Sequence, residues 1–289
     1  ETAPRHEHSG LDPEHRRELD AKKREGLMTR YGMALDLKRC VGCGACVVAC
    51  QLENNQKEGV AWVQLDTVEW GEDIGESGRV YVPHACMHCP DAPCAEVCPT
   101  GASVVMNDGV VVMDYDACIN CGSCVQACPY GARVVNKTRT NYFKTDTQAP
   151  YEAYGEQRVN VVEKCDFCYD RTQQGLPTAC VWNCPGKARF FGDLEDPESE
   201  VSQRIAQGDM VQIDETSFWF APVSGMPDTG LPTAANLAQG ESVAQNDPDD
   251  GVNPVAATVG VAAVAAVAAG IGVGVKKAKK EAVEVDDDE

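Results

Sequence analysis

Cys40-Val41-Gly42-Cys43-Gly44-Ala45-Cys46-Val47-Val48-Ala49-Cys50 and Cys118-Ile119-Asn120-Cys121-Gly122-Ser123-Cys124-Val125-Gln126-Ala127-Cys128 share one pattern, C-x2-C-x2-C-x3-C. Two further groups vary it. Cys86, Cys89, Cys94 and Cys98 follow x2, x4 and x3 spacing, and Cys165, Cys168, Cys180 and Cys184 follow x2, x11 and x3. The four groups use all 16 cysteines. Proline follows the last cysteine in three of them, as Pro99, Pro129 and Pro185, while the first has Gln51. A proline there lacks a donor and fixes φ, so a short helix ends and the chain turns into the next strand.

This spacing serves iron–sulfur chemistry. In a C-x2-C-x2-C-x3-C run three thiolates wrap one cubane and the fourth turns to a second cluster. The four groups therefore predict four [4Fe–4S] clusters in two ferredoxin-like modules, an α+β fold of short strands and helices. Structural zinc joins two spaced pairs, or Cys with His, around one ion, a scheme that triplets at two-residue spacing fit poorly. Disulfides would have to close strained small rings. Spacing alone leaves open whether groups pair one with four and two with three, or one with two and three with four.

His84 and His88 flank the start of the second group. A Rieske centre needs two histidines in place of two cysteines; here all four cysteines are present, so both read as hydrogen-bonding or surface side chains. Arg133, Lys164 and Lys187 lie near candidate ligands, where they would offset cluster charge or serve as plain surface cations. Trp182, between Cys180 and Cys184, reads as core packing ahead of an electron conduit.

Composition narrows the function. A net charge of −20 and a pI near 4.6 exclude a nucleic-acid partner, which demands a basic face. The carboxylates run along the whole chain, a surface suited to a high-salt cell where self-repulsion is screened. Aromatic residues are sparse at 6%, so metal–thiolate bonds are expected to help organise the fold. Phosphate loops, nucleophile elbows and HExxH motifs are absent from the sequence. The pattern is that of a wire, not of a catalyst.

Along the chain, residues 1–28 read as a charged arm and 29–220 as the cysteine-bearing body. Ala61–Glu69 and Arg79–Pro83 look like strands. Ser103–Met106 and Val110–Asp114 flank Asn107-Asp108-Gly109, a hairpin signal. Asp196-Pro197 predicts a helix start and Gly208 its stop. Residues 221–254 read as a linker, and the uncharged stretch 255–275 as a transmembrane helix that anchors the chain in a lipid bilayer. Lys276, Lys277, Lys279 and Lys280 then place the charged tail, 276–289, in the cytoplasm and the body outside. The Arg16-Arg17 pair precedes charged residues instead of an apolar run, so export on a partner's signal is expected.

The sequence resembles the iron–sulfur beta subunits of complex molybdoenzymes, the electron-transfer subunits of dimethyl sulfoxide, polysulfide and tetrathionate reductases and of formate dehydrogenase. The resemblance covers residues 30–208. It rests on Asp36-Leu37-Lys38-Arg39-Cys40-Val41-Gly42-Cys43, Cys86-Met87-His88-Cys89-Pro90, Asp116-Ala117-Cys118-Ile119-Asn120-Cys121, Cys128-Pro129-Tyr130-Gly131-Ala132, Glu163-Lys164-Cys165-Asp166-Phe167-Cys168 and Phe191-Gly192-Asp193-Leu194.

The resemblance implies four cysteine sets. Set A is Cys40, Cys43, Cys46 and Cys184; set B is Cys50, Cys165, Cys168 and Cys180. Set C is Cys86, Cys89, Cys94 and Cys128; set D is Cys98, Cys118, Cys121 and Cys124. It implies a molybdopterin catalytic subunit near A and a quinone-reactive membrane subunit near D, with Cys121 completing a full [4Fe–4S] site. The body is most like the sulfur-compound reductases, which usually lack a C-terminal membrane helix. Such a helix matches formate dehydrogenase or a membrane hydrogenase, the alternative within the class; a membrane-anchored zinc protein is the alternative outside it.

Overall fold

In a computed structural model of the chain, the residues described are 29–71, 77–137 and 158–239. Strand β1 (Tyr31–Asp36) is buried at every position after Tyr31, which suits a strand covered on both faces. β8 (Arg189–Asp193) pairs with it antiparallel, setting Met33 opposite Phe191. β10 (Phe218–Ala221) pairs on its other side in parallel, setting Met33 opposite Phe218. β9 (Val211–Gln212) closes the edge, for the order β8-β1-β10-β9. Side-chain alternation divides this sheet's two faces. Met33, Leu35, Phe218 and Phe220 enter the main core, while Ala34 and Trp219 meet Val201 on the opposite face.

Three antiparallel pairs complete the strands among the described residues. β2 (Gln64–Trp70) pairs with β3 (Gly78–His84), and β6 (Val134–Asn136) with β7 (Val161–Glu163). β4 (Ser103–Val105) and β5 (Val111–Met113) form the hairpin that Asn107-Asp108-Gly109 predicts. Gly109 takes φ +78, and Asp108 Oδ1 accepts the Val110 amide at 3.1 Å. The turn chemistry was legible because its residues act locally.

The helices are short and follow the cysteines: α1 (Ala45–Glu53), α2 (Pro93–Glu96), α3 (Ser123–Gln126), α4 (Tyr169–Thr172) and α5 (Ala179–Trp182). α6 (Glu200–Ile205) begins later than Asp196-Pro197 predicts. Its cap is Ser199, whose Oγ accepts the Ser202 amide at 3.3 Å. Asp196 instead makes a preceding turn, accepting the Glu198 amide at 2.9 Å. Gly208, at φ +81, follows the helix as expected.

Two corrections concern the C-terminal part. Residues 221–239, expected as linker, hold a 3-10 turn (Asp228–Gly230) and α7 (Ala234–Gln239), and Leu231 is buried in the main core. The fold class is α+β with ferredoxin-like modules, and the transmembrane helix expected as part of it, at 255–275, is not found in the described fold. No helix among the described residues is long and apolar enough to cross a membrane. Alanine and glycine add little lipophilicity, so an uncharged stretch built largely from them is a weaker signal than its length. That stretch, the arm at 1–28, residues 240–254 and the lysine-bearing tail from which the orientation was read lie outside the described residues.

Candidate iron–sulfur cluster sites

Each C-x-x-C loop turns through a left-handed residue immediately before its second cysteine: Gly42 (φ 66), His88 (φ 48), Asn120 (φ 53) and Phe167 (φ 56). A short helix then carries the third cysteine of each group: Cys46 on α1, Cys94 on α2, Cys124 on α3 and Cys180 on α5. The fourth cysteine comes four residues later, about one helical turn on. It lies inside α1 as Cys50 and just past the other three helices as Cys98, Cys128 and Cys184.

Because α1 packs on α5 and α2 on α3, each fourth cysteine arrives in the partner group. Cys40, Cys43, Cys46 and Cys184 line one cavity, and Cys86, Cys89, Cys94 and Cys128 line another. Cys50 lies beside Cys180 and Cys168, and Cys165 beside Cys50. Cys98 lies beside Cys121, and Cys118 beside Cys124. Group one thus lies against group four and group two against group three in space. No three His, Cys, Asp or Glu side chains among the described residues close on a point as a single ion requires.

The electrostatics fit a bound anionic group. Burial pushes the Cys50 and Cys165 thiols well above their ordinary range, and the neighbouring thiols push in the same direction. Burial likewise takes Cys89 and Cys168 to about 12. Such thiols ionise when a metal binds them. Two buried arginines await that charge. Arg133 Nη2 donates to Cys94 Sγ at 2.8 Å and to Ser103 Oγ at 2.6 Å. Arg189 Nη1 reaches Cys180 Sγ at 3.7 Å and Met33 Sδ at 3.3 Å.

Arg133 faces Cys94, Cys86 and Cys124, bordering sets C and D; Arg189 faces Cys180, Cys46, Cys165 and Cys184, bordering A and B. Neither pairs with a carboxylate among the described residues. A buried guanidinium without an anion is costly, and cluster thiolates supply one.

The comparisons with known proteins agree with this geometry. A family model described as a 4Fe-4S dicluster domain matches residues 78–149 and 142–194, and a second model of the same description matches 39–102. A Halobacterium salinarum protein assigned as the iron–sulfur B subunit of dimethyl sulfoxide reductase is 42% identical over 198 residues, covering 64% of this chain and 74% of that protein. The arsenate respiratory reductase iron–sulfur subunit of Shewanella sp. is 38% identical over 206 residues, with 61% and 87% covered. The tetrathionate reductase B subunit of Salmonella typhimurium is 37% identical over 179 residues, with 62% and 64% covered.

The chain belongs to the family of iron–sulfur B subunits of complex reductases. As a member of that family it is an electron-transfer protein, and its two dicluster modules carry four [4Fe–4S] clusters.

Within this electron-transfer protein some side chains lie where the sequence suggests and others do not. Arg133 faces cysteine sulfur, the first of the two readings its position allows, and is not a surface cation. Lys164 is buried, and its Nζ donates to Cys165 O at 2.8 Å and to Val111 O. Lys187 follows Cys184 closely, its amide donating to Cys184 O at 3.2 Å and its own carbonyl accepting from Arg39. Both histidines are buried hydrogen-bonding residues. His84 Nε2 lies 2.8 Å from Asp66 Oδ2, and His88 Nδ1 accepts the Val111 amide at 3.0 Å. Burial, with Lys164 and Arg133 nearby, holds His88 well below the ordinary histidine range.

Trp182, expected in the core, is 67% exposed. Several groups that touch sulfur go unnamed in the sequence reading, among them Arg189, Gln56 and Asn54. Gln56 Nε2 donates to Cys50 Sγ at 3.1 Å, and Asn54 Nδ2 lies 3.4 Å from the same sulfur and 3.9 Å from Cys168 Sγ. A repeat could have revealed Arg189. Cys128-Pro-Tyr-Gly-Ala-Arg133 and Cys184-Pro-Gly-Lys-Ala-Arg189 set arginine at the same offset, where the second group, ending Cys98-Pro-Thr-Gly-Ala-Ser103, has serine.

Proposed function

We propose that the sixteen cysteines hold iron as sets A to D, and that the chain relays single electrons between a molybdopterin-containing catalytic subunit and a quinone-reactive membrane subunit. The enzyme served is a respiratory reductase of the dimethyl sulfoxide or sulfur-compound type. One observation carries this reading. Cys43 and Cys121 are the exposed members of the sixteen cysteines, and they belong to the first and last sets. The intervening sets B and C keep only partly exposed or buried cysteines.

Apolar side chains mark the same two ends. Val41 is 66% and Ile119 64% exposed, each next to the first cysteine of its loop, whereas the matching Met87 is buried. Exposed apolar tips beside an accessible cluster suit docking surfaces, where partner contact excludes water and shortens electron transfer. The identities to iron–sulfur subunits of reductases support the partner class. The charge of −20 and the Halobacterium salinarum relative support a high-salt setting, where such a surface is screened.

Two charge insertions test the reading in the assembled enzyme. Val41→Glu is expected to slow electron exchange with the catalytic subunit and Ile119→Glu exchange with the quinone, each leaving the other end intact. EPR of this chain's clusters, reduced from either side, separates the two. Equal exchange at both ends in both variants would sink the assignment.

A further inference from the structure

The clearest side-chain contact between the two inner loops joins Cys86-Met87-His88-Cys89 to Cys165-Asp166-Phe167-Cys168. The His88 imidazole lies on the Phe167 ring with centroids 3.7 Å apart and planes 20° from parallel. Both rings are buried, at 0% and 1% exposure. Each is adjacent in the chain to a cysteine, His88 to Cys89 of set C and Phe167 to Cys168 of set B.

The backbone makes this contact expensive. Both residues stand at positive φ, where bulky side chains are rare and the backbone is strained. The end loops carry Gly42 and Asn120 at the same position, residues that adopt this conformation with little cost. The inner loops thus retain rings where the turn itself favours glycine or asparagine.

Other contacts fix the stack. Val111 donates its amide to His88 Nδ1 at 3.0 Å, so the ring proton sits on Nε2, which has no hydrogen-bond partner among the described residues. Lys164, next to Cys165, donates to the carbonyl of the same Val111. One residue of β5 is therefore held from both inner loops.

We propose that His88 and Phe167 are the bridge by which an electron crosses between set B and set C. Tunnelling weakens steeply across empty space and far less across bonded or tightly packed matter. The ring pair fills the interval between two cysteine loops with π-systems in contact. The exchange is a one-electron oxidation on one side and a one-electron reduction on the other, and it needs no further reactant. This proposal rests on the four-cluster reading above. The alternative is plain core packing, since Phe167 also meets Phe191 at 5.2 Å and Phe218 at 5.6 Å.

The test uses the full chain carrying its clusters. Phe167→Leu keeps apolar volume but removes the ring; Phe167→Tyr keeps the ring. Flash reduction followed by freeze-quench EPR gives the rate of electron exchange between the modules, and potentials measured on the same samples separate a change in driving force. Phe167→Leu is expected to slow exchange several-fold at matched driving force, with Phe167→Tyr near wild type. An unchanged rate in Phe167→Leu overturns the bridge.

A second arm needs no variant. In 15N-histidine protein, reducing the set C cluster is expected to give an isotropic ENDOR coupling to the His88 ring, and a purely dipolar one overturns the proposal. This arm decides if Phe167→Leu binds less iron. Failure to find four clusters in the wild type would instead overturn the underlying reading.

Discussion

In the module of sets A and B, the chain keeps Cys50 inside a nine-residue helix that runs on to Glu53. In the module of sets C and D, it leaves Cys98 and Cys128 directly through Cys-Pro turns. The consequence lies in what reaches the sulfur. Continuing past Cys50 brings Asn54 and Gln56 back to donate to its Sγ. The proline exits instead bring the residues at equal offset, Ser103 and Arg133, against each other at 2.6 Å. Both modules bury one arginine beside their cysteines, but only the first adds side-chain amide donors to it. Hydrogen bonds and nearby charge set cluster potentials, so equal motifs need not give equal potentials.

Removing a shared cysteine tests the frame of this comparison and carries the largest expected effect. Cys50→Ala and Cys98→Ala should each cost about one quarter of the iron, the first at set B and the second at set D. Iron assay with EPR of the remaining clusters checks this. Loss of a set C cluster in Cys50→Ala would break the division into modules.

Arginine comes next. Arg189→Leu should lower the potentials of A and B, and Arg133→Leu those of C and D, by on the order of 100 mV, since a cation favours the reduced state and about 59 mV is a tenfold change for one electron. Redox-titrated EPR reads the shifts. If each variant moved all four clusters alike, the arginines would not be local to their modules.

Gln56→Leu sharpens the contrast itself. A net hydrogen bond is worth about 1 kcal/mol, so set B should fall by roughly 40 mV while C and D stay fixed in the same titration. The smallest effect belongs to Ser103→Ala, which takes one partner from the buried Arg133. Urea unfolding of the iron-loaded protein should show a loss of about 1 kcal/mol, with potentials scarcely moved. A larger shift in potential than Arg133→Leu gives would reverse the roles of the two residues.

The parts legible in the sequence are those whose causes are local. The four groups, the 103–113 hairpin and the cysteine-flanking Arg133 all follow from short spacings. The set assignment needed the resemblance, because spacing does not say which helices pack together. Strand β10 (Phe218–Ala221) is less legible, because besides the short β9 it pairs with β1, a partner far away in the chain. Gln56 escaped for the same reason: its role depends on the turn after α1 folding back. Trp182 defies the tendency of large apolar residues to sit in cores, because it ends a helix that turns Ala179 and Cys180 inward and leaves its last residue on the outer side.

The nesting of one module within the other has a consequence for biosynthesis. Every cysteine of sets C and D, with Arg133, is encoded between residues 86 and 133, whereas sets A and B begin at Cys40 and close only with Cys184 and Arg189. Since chains emerge from the N-terminus at roughly 5–20 residues per second, the inner module's ligands are all synthesised before the outer module has its last. Cys40, Cys43, Cys46 and Cys50 must wait as unpaired thiols until the later group arrives. Iron delivery during translation would therefore favour the inner pair first, and a ribosome stalled before residue 165 would leave a chain able to hold half of its metal.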